Sequence, residues 1–235
     1  QWLETYFGEA TYQELTQLAQ QAKQRKKRGG PRVLILPGIM GSTIGQPGTL
    51  WDDVIWFDPK DIALGNLVEL ALTSHQSPYR SLGVVPIAYT VLKLRLTSAG
   101  YDVDYHHYDW RQSLDKLGNE LVSRLKQERA HEISLVAHSM GGLVSRSALA
   151  QKAPKVKQLV MLGTPNHGSF VPVQAIRAVY SVVRQVAGLD PFHSAEELSS
   201  LVFTTFPGLY QMLPTTEKFN ALDLYDPAVW PQQGP

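Results

Sequence analysis

The sequence predicts an α/β fold in which a mostly parallel sheet carries helices on both of its faces. Short apolar segments that indicate strands, such as 133–137 and 156–162, alternate with segments that have helical apolar spacing, such as the leucines of 113–125. Parallel strands are usually connected by crossover helices, so this alternation favours parallel pairing. The second observation is a strand joined directly to a helix around Ser139.

Length and composition fit one domain of this class. Of the 235 residues, 43% are hydrophobic and 18% are charged, which is enough apolar material for one large core. The chain has no cysteine, and its histidines lack the spacing of zinc sites, so neither a metal nor another cofactor is predicted. No apolar run is long enough for a transmembrane helix, and no signal peptide is apparent. The sequence therefore predicts a soluble protein and leaves its compartment and oligomeric state open.

Residues 1–30 predict an N-terminal helix followed by a basic linker. Apolar residues recur at near-helical spacing up to Ala22, and five of the 22 basic residues then lie between Lys23 and Arg28. Without those five, acidic residues outnumber basic ones, which argues against a nucleic-acid partner. The basic run either steers the protein to an anionic lipid surface or is a solvated helix end, and the second interpretation is the commoner one.

The remaining elements follow in order along the chain. An apolar strand is predicted at 33–36, a helix over 86–99, and an alternating strand at 101–110. The core of the fold is expected to span 31–169. Residues 170–235 predict several short helices that form a cap or lid and a C-terminal segment.

Ser139 has the sequence context of a nucleophile on a strained turn. The run 134–143 reads SLVAHSMGGL, and the residues two before and two after the serine, Ala137 and Gly141, are small, as such a turn requires. The turn would direct the hydroxyl out of the sheet and the N–H of Met140 toward a developing acyl oxyanion. The alternative is a strand that merely ends in this sequence.

A second oxyanion donor is expected from the loop after the first strand. Residues 32–42 read RVLILPGIMGS, in which a buried-type strand ends in Pro-Gly. In hydrolases that use such a serine, the second N–H comes from the loop after an earlier strand, so Ile39 or Met40 is placed to supply it. The alternative is an ordinary strand-to-loop junction, because Pro-Gly marks turns of many kinds.

Four motifs in this order resemble the lecithin:cholesterol acyltransferase-like branch of the α/β-hydrolases. They are ILPGIMGS, YDWR, AHSMGG and GTPNHGS, at 35–42, 108–111, 137–142 and 163–169. The resemblance runs from about Pro31 to Pro214 and includes WFDPKDIALGNL at 56–67. It implies an α/β-hydrolase-type sheet with a helical cap.

The same resemblance implies a lipid ester substrate. The reaction would be hydrolysis, as in a lipase or phospholipase, or O-acyl transfer through an acyl-serine intermediate, and hydrolysis is favoured. By position, Ser139 matches the nucleophile, Met140 matches one oxyanion donor, and Met40 matches the other, with Ile39 adjacent. Contact with a membrane or lipid surface would suit such a substrate.

The triad acid and base do not appear where the resemblance requires them. In this fold an Asp or Glu and then a His follow the nucleophile on later strands. Downstream of Ser139 the only histidines are His167, in a loop, and His193, in a turn. The simplest interpretation is that the last strands are lacking and that the acid and base lie beyond residue 235. The alternatives are a non-catalytic lipid- or protein-binding module, and an unusual site with His167 as the base.

Several other residues have two interpretations. His167, Trp51 and Trp56 are candidates for substrate or lid contacts, although the tryptophans would equally fill a core. Asp109 and Arg111 of YDWR could bind a head group, but such charges more often pair with each other.

Overall fold

The computed structural model describes residues 8–26, 29–49, 51–73, 77–219 and 222–231. The strands in chain order are β1 (Arg32–Leu36), β2 (Ser42–Gln46), β3 (Asp53–Trp56), β4 (Arg80–Val84), β5 (Asp102–Tyr105), β6 (Ile133–His138) and β7 (Val156–Leu162). The α-helices are α1 (Glu9–Lys26), α2 (Pro59–Ala63), α3 (Pro86–Ser98), α4 (Leu114–Gln127), α5 (Met140–Ala150), α6 (Val171–Ile176), α7 (Ser181–Ala187), α8 (Ala195–Leu201) and α9 (Pro207–Tyr210). Short 3-10 helices lie at Asn66–Leu70, Phe203–Thr205 and Pro227–Val229.

The central sheet is parallel, with the strand order β5-β1-β6-β7. Strand β1 lies between two neighbours because its residues are apolar on both faces. Val33 and Ile35 pack with Tyr89 of α3 on one face, whereas Leu34 and Leu36 belong to the larger core on the other. The carboxyl ends of parallel strands meet at one edge of the sheet, so the loops after β1, β6 and β7 lie near one another there.

Helix α4 closes the larger core through the leucines predicted for it. Leu117, Leu121 and Leu125 are fully buried, and the Ser113 side chain caps the helix by accepting a hydrogen bond from the Lys116 N–H at 3.3 Å. Helix α5 packs beside α4, and α3 covers the opposite face of the sheet. The predicted α/β class, with helices on both faces of a mostly parallel sheet, is confirmed.

The helices after β7 pack onto the same core. Val183 of α7, Phe206 and Leu209 are buried in one cluster with Trp110 and Met140. None of the helices in the described residues combines the length and the apolar character needed to cross a bilayer. The division between core and cap at residue 170 stays a prediction.

Two features differ from the sequence-based expectation. Strands β2, β3 and β4 form a small antiparallel sheet in the order β3-β2-β4, which was not predicted. Strand β5 ends at Tyr105 rather than near residue 110. Beyond Tyr105 the apolar alternation continues because Tyr108 and Trp110 pack in the larger core. Their polar atoms are satisfied there, since the Tyr108 hydroxyl donates to the Pro37 carbonyl and the Trp110 indole N–H donates to the Ser42 carbonyl.

Helix α1, which spans Glu9–Lys26, covers part of the predicted N-terminal helix. Residues 1–7 and 27–28, which include much of the predicted start and part of the basic run, lie outside the described residues.

Candidate active site at the junction of β6 and α5

Ser139 lies between the last residue of β6 and the first residue of α5 in a strained backbone conformation. Its φ is 50° and its ψ is −121°, a region that costs a non-glycine residue about 1–3 kcal/mol. Neighbouring chain segments fix this conformation. The Ser139 N–H donates to the Leu162 carbonyl at 2.8 Å, and the Ser139 carbonyl accepts from the Gly142 N–H at 3.0 Å.

The small residues around Ser139 are explained by contact with the end of β1. A Cβ atom on Gly141 would lie 2.6 Å from the Pro37 carbonyl oxygen and 2.9 Å from that of Leu36. Ala137 is completely buried. The start of α5 therefore presses directly on the backbone of β1, and a side chain at position 141 would separate the two.

The 37–41 loop, which follows β1, lies against Ser139. A Cβ atom on Gly38 would be 3.1 Å from the Ser139 Cβ, and the Gly41 N–H closes a turn by donating to the Gly38 carbonyl at 3.0 Å. Met40, inside this turn, has a φ of 60°. Within the part of the chain that the structure describes, the N–H groups of Ile39 and Met40 donate to no protein acceptor. The loop therefore brings two uncommitted N–H groups to the neighbourhood of Ser139.

Two buried aromatic residues hold the carbonyl groups of this loop. The Trp56 indole N–H donates to the Met40 carbonyl at 2.9 Å, and the Tyr108 hydroxyl donates to the Pro37 carbonyl at 2.6 Å. The structure thus places Trp56 in the core, 3% exposed, whereas Trp51 lies at the surface with 87% of its area exposed. Sequence reasoning missed Tyr108, although its place in YDWR, just after a strand, was visible.

His167 and His193 do not share a hydrogen bond with Ser139. His167 is exposed in the loop after β7, where its carbonyl accepts from the Thr215 N–H at 3.0 Å. The His193 ring lies 2.9 Å from the Asp190 carboxylate, which also accepts two backbone N–H groups in the turn before α8. The Asp190–His193 pair therefore closes a turn.

Asp109 and Arg111 pair with each other, as the commoner interpretation of YDWR predicts. The Arg111 guanidinium makes two bonds of 2.8 Å to the Asp109 carboxylate and further bonds to the Leu70 and Tyr79 carbonyls, at 2.9 and 3.0 Å. The Arg111 side chain is completely buried. This pair fastens the segment after β5 to the 3-10 helix at 66–70 and to the start of β4.

An open cavity of about 920 Å³ lies between β4 and the first half of α4, and Ser139 is not in its lining. Its walls carry charges of both signs, including Arg80, Lys116 and Glu120. Burial is the main cause that raises the pKa of Glu120 above its usual value.

No cluster of metal-binding side chains occurs in the described residues. Because Ser139 does not line the open cavity, the candidate site is defined by the backbone geometry around Ser139.

Comparison with known proteins gives partial matches. Among solved structures, the chain is similar to the Bacillus licheniformis lipase BlEst2. The mature form is 20% identical over 79% of this chain and 60% of that chain, with a TM-score of 0.40. The propeptide form is 20% identical over 77% of this chain and 34% of that chain, with a TM-score of 0.38.

One curated relative and one family model also match. A segment of 90 residues is 31% identical to part of an uncharacterized protein of Saccharomyces cerevisiae. The match covers 36% of this chain and 14% of the yeast protein. The chain thus spans less than two thirds of the length of these three proteins. The family model of lecithin:cholesterol acyltransferase matches residues 86–233, more than half of the chain. This protein therefore belongs to the lecithin:cholesterol acyltransferase family.

Proposed function

We propose that this protein is a serine-dependent lipid acyl hydrolase or O-acyltransferase in which Ser139 forms an acyl-serine intermediate. The observation that carries the proposal is the strained Ser139 at the start of α5, beside a loop with two uncommitted N–H groups. Strain of this kind persists only where the surrounding structure enforces it, and it concentrates at functional sites.

The proposed reaction begins with attack by the Ser139 hydroxyl oxygen on the ester carbonyl. A bond forms between that oxygen and the acyl carbon, the serine proton passes to a base, and the carbonyl oxygen becomes an oxyanion. The N–H of Met140 and one N–H of the 37–41 loop, from Met40 or its neighbour Ile39, stabilise the oxyanion. The positive end of the α5 dipole lies at the same position.

Collapse of the oxyanion expels the alcohol of the ester, which receives the proton from the base. Water in hydrolysis, or a second alcohol in transfer, then gives its proton to the base and attacks the acyl carbon of the acyl-serine. The bond between the Ser139 oxygen and the acyl carbon breaks, the product acid or ester leaves, and Ser139 regains its proton from the base. Hydrolysis is the preferred assignment, since transfer requires a pocket that selects an alcohol over water. We infer that the acid and base are supplied from outside the described residues, because none of the histidines described hydrogen-bonds to Ser139.

Contact with a lipid surface is part of the proposal. Trp51 projects from the loop between β2 and β3 with 87% of its area exposed, and an indole suits the boundary between apolar lipid and water. The five basic residues between Lys23 and Arg28 would add attraction to anionic lipid.

Labelling with a fluorophosphonate probe tests the nucleophile without assuming a substrate. We expect the protein to be labelled and its Ser139→Ala variant to remain unlabelled. Labelling is measured on the 235-residue chain and on any longer natural form of it, and labelling of a longer form alone would locate the base outside these residues. An unlabelled full-length protein that nonetheless binds lipid vesicles would contradict the enzyme proposal and favour a non-catalytic binding module.

A further inference from the structure

The 37–41 loop is wrapped around the hydroxyl group of Tyr89. Tyr89 lies in the first turn of α3 and is 6% exposed. Its hydroxyl oxygen accepts a hydrogen bond from the Gly38 N–H at 2.8 Å and lies 3.0 Å from Nδ1 of His138. One phenol thus links the loop after β1 to the residue immediately before Ser139.

The two glycines of the loop make room for this contact. A Cβ atom on Gly41 would lie 2.7 Å from the Tyr89 hydroxyl oxygen, and one on Gly38 would lie 2.9 Å from Nδ1 of His138. Both distances are below van der Waals contact. The spacing of the glycines in the Pro-Gly-Ile-Met-Gly segment therefore serves the approach of Tyr89 and His138 as well as the turn.

One arrangement of protons satisfies both hydrogen bonds of the Tyr89 hydroxyl. The Tyr89 oxygen accepts from Gly38, so its own hydrogen is free to be donated to Nδ1 of His138, with the ring proton on Nε2. Burial raises the pKa of the Tyr89 hydroxyl, and the Gly38 N–H acts in the opposite direction. The phenol therefore keeps the proton that it donates.

Other contacts hold the loop from the opposite side of the sheet. Trp56 and Tyr108, which bind the Met40 and Pro37 carbonyls, belong to the larger core, whereas Tyr89 belongs to the core beneath α3. The first two fix the loop to the small sheet and to the segment after β5. Tyr89 instead fixes it relative to β6, the strand that ends immediately before Ser139.

We propose that Tyr89 is a positioning residue that sets the N–H groups of the 37–41 loop at their working distance from Ser139. The inference rests on the proposed function, because it assigns those N–H groups to the oxyanion. Tyr89 hydrogen-bonds to Gly38 and His138, not to Ser139, so its effect is exerted through the loop.

The test is the Tyr89→Phe variant of the full-length protein, which loses one oxygen atom and keeps the ring. We expect its rate constant for fluorophosphonate labelling, and its kcat on a p-nitrophenyl ester, to fall about 10-fold, with KM nearly unchanged. Displacing an oxyanion donor by a fraction of an ångström has effects of this order. Tyr105→Phe is the matched control, since Tyr105 packs against the same core beneath α3.

NMR gives a second readout, which does not depend on activity. By NMR, Tyr89→Phe should abolish the exchange protection of the Gly38 amide and change the ¹⁵N shift of His138 Nδ1, whereas Tyr105→Phe should change neither. Equal labelling rates in the two variants, or a Gly38 amide that stays protected, would overturn the positioning role. If the unmodified protein is not labelled at all, the proposed function fails, and the NMR result alone decides whether Tyr89 holds the loop.

Discussion

The buried guanidinium of Arg111 depends on the Asp109 carboxylate for its charge balance. The pair is joined by two bonds of 2.8 Å, and the Arg111 side chain is fully enclosed. We expect Asp109→Ala to lower the free energy of unfolding by about 3–5 kcal/mol, because it leaves a buried charge unpaired. The double variant with Arg111→Met should lose less than Asp109→Ala alone in urea unfolding. A double variant as unstable as the sum of both single variants would contradict this interpretation.

His106 makes the stability of the fold depend on pH. Burial, with smaller contributions from His107 and Arg124, lowers the pKa of His106 to about 4. Between pH 6.5 and about 4 the unfolded chain therefore binds a proton that the folded chain excludes, and the free energy of unfolding falls as the pH falls, by about 3 kcal/mol over that range.

The variant His106→Phe should reduce this pH dependence but not abolish it, because burial also lowers the pKa of His107. Urea unfolding at several pH values measures it, with His131→Gln, at an exposed position, as the control. Asp104 and Glu128, whose pKa values are lowered, produce a separate loss of stability at more acid pH, so the comparison is confined to the range above pH 4.5. Equal slopes in both variants would show that His106 is not the titrating group.

Single residues near Ser139 were predictable to different degrees. The strained turn at Ser139 was predicted correctly because it is encoded within a few consecutive residues, which include the small Ala137 and Gly141. The role of Ser139 as a nucleophile stays a prediction. The residues that hydrogen-bond to the 37–41 loop were not predicted. Tyr89 is 51 positions from Gly38, and Tyr108 is 71 positions from Pro37. An aromatic residue at such a distance gives no local signal that its hydroxyl will reach that loop.

At the scale of secondary structure, the close approach of α5 to β1 depends on Gly141. Alanine forms helices better than glycine by about 1 kcal/mol, yet its Cβ would collide with two backbone carbonyls of 36–37. We expect Gly141→Ala to destabilise the fold by about 1–3 kcal/mol in thermal and urea unfolding. Gly83→Ala, where the nearest atom to the new Cβ is 3.7 Å away, should change stability little. Equal effects would contradict the packing described for α5.

The elements that were predicted correctly have strong local patterns. The apolar runs of β1, β6 and β7 and the leucine spacing of α4 are visible without knowledge of their partners. Strands β2, β3 and β4 have only four or five residues each, contain Gly45 and Gly83, and pair with irregular register. Their pairing is decided by contacts across the chain, so periodicity alone could not reveal it.

At the scale of the whole molecule, β7 forms an apolar edge of the parallel sheet. In the described residues it pairs with β6 on one side only, and Val160, Met161 and Leu162 are 42%, 41% and 40% exposed. An exposed apolar edge strand is a template for pairing with another chain. We expect Val160→Lys to reduce self-association of the 235-residue chain in sedimentation velocity. Val229→Lys, at an equally exposed site outside the sheet, should not; similar sedimentation of both variants would contradict this expectation.

The account as a whole depends on Ser139 acting as a nucleophile, and the mass of a trapped intermediate measures this most directly. The full-length protein is mixed with a p-nitrophenyl acyl ester, quenched in acid and analysed as intact protein and as peptides. We predict a mass increase of one acyl group, located on Ser139 by fragmentation of the peptide and lost in Ser139→Ala. An unmodified protein, or acylation that persists in Ser139→Ala, would contradict the central claim.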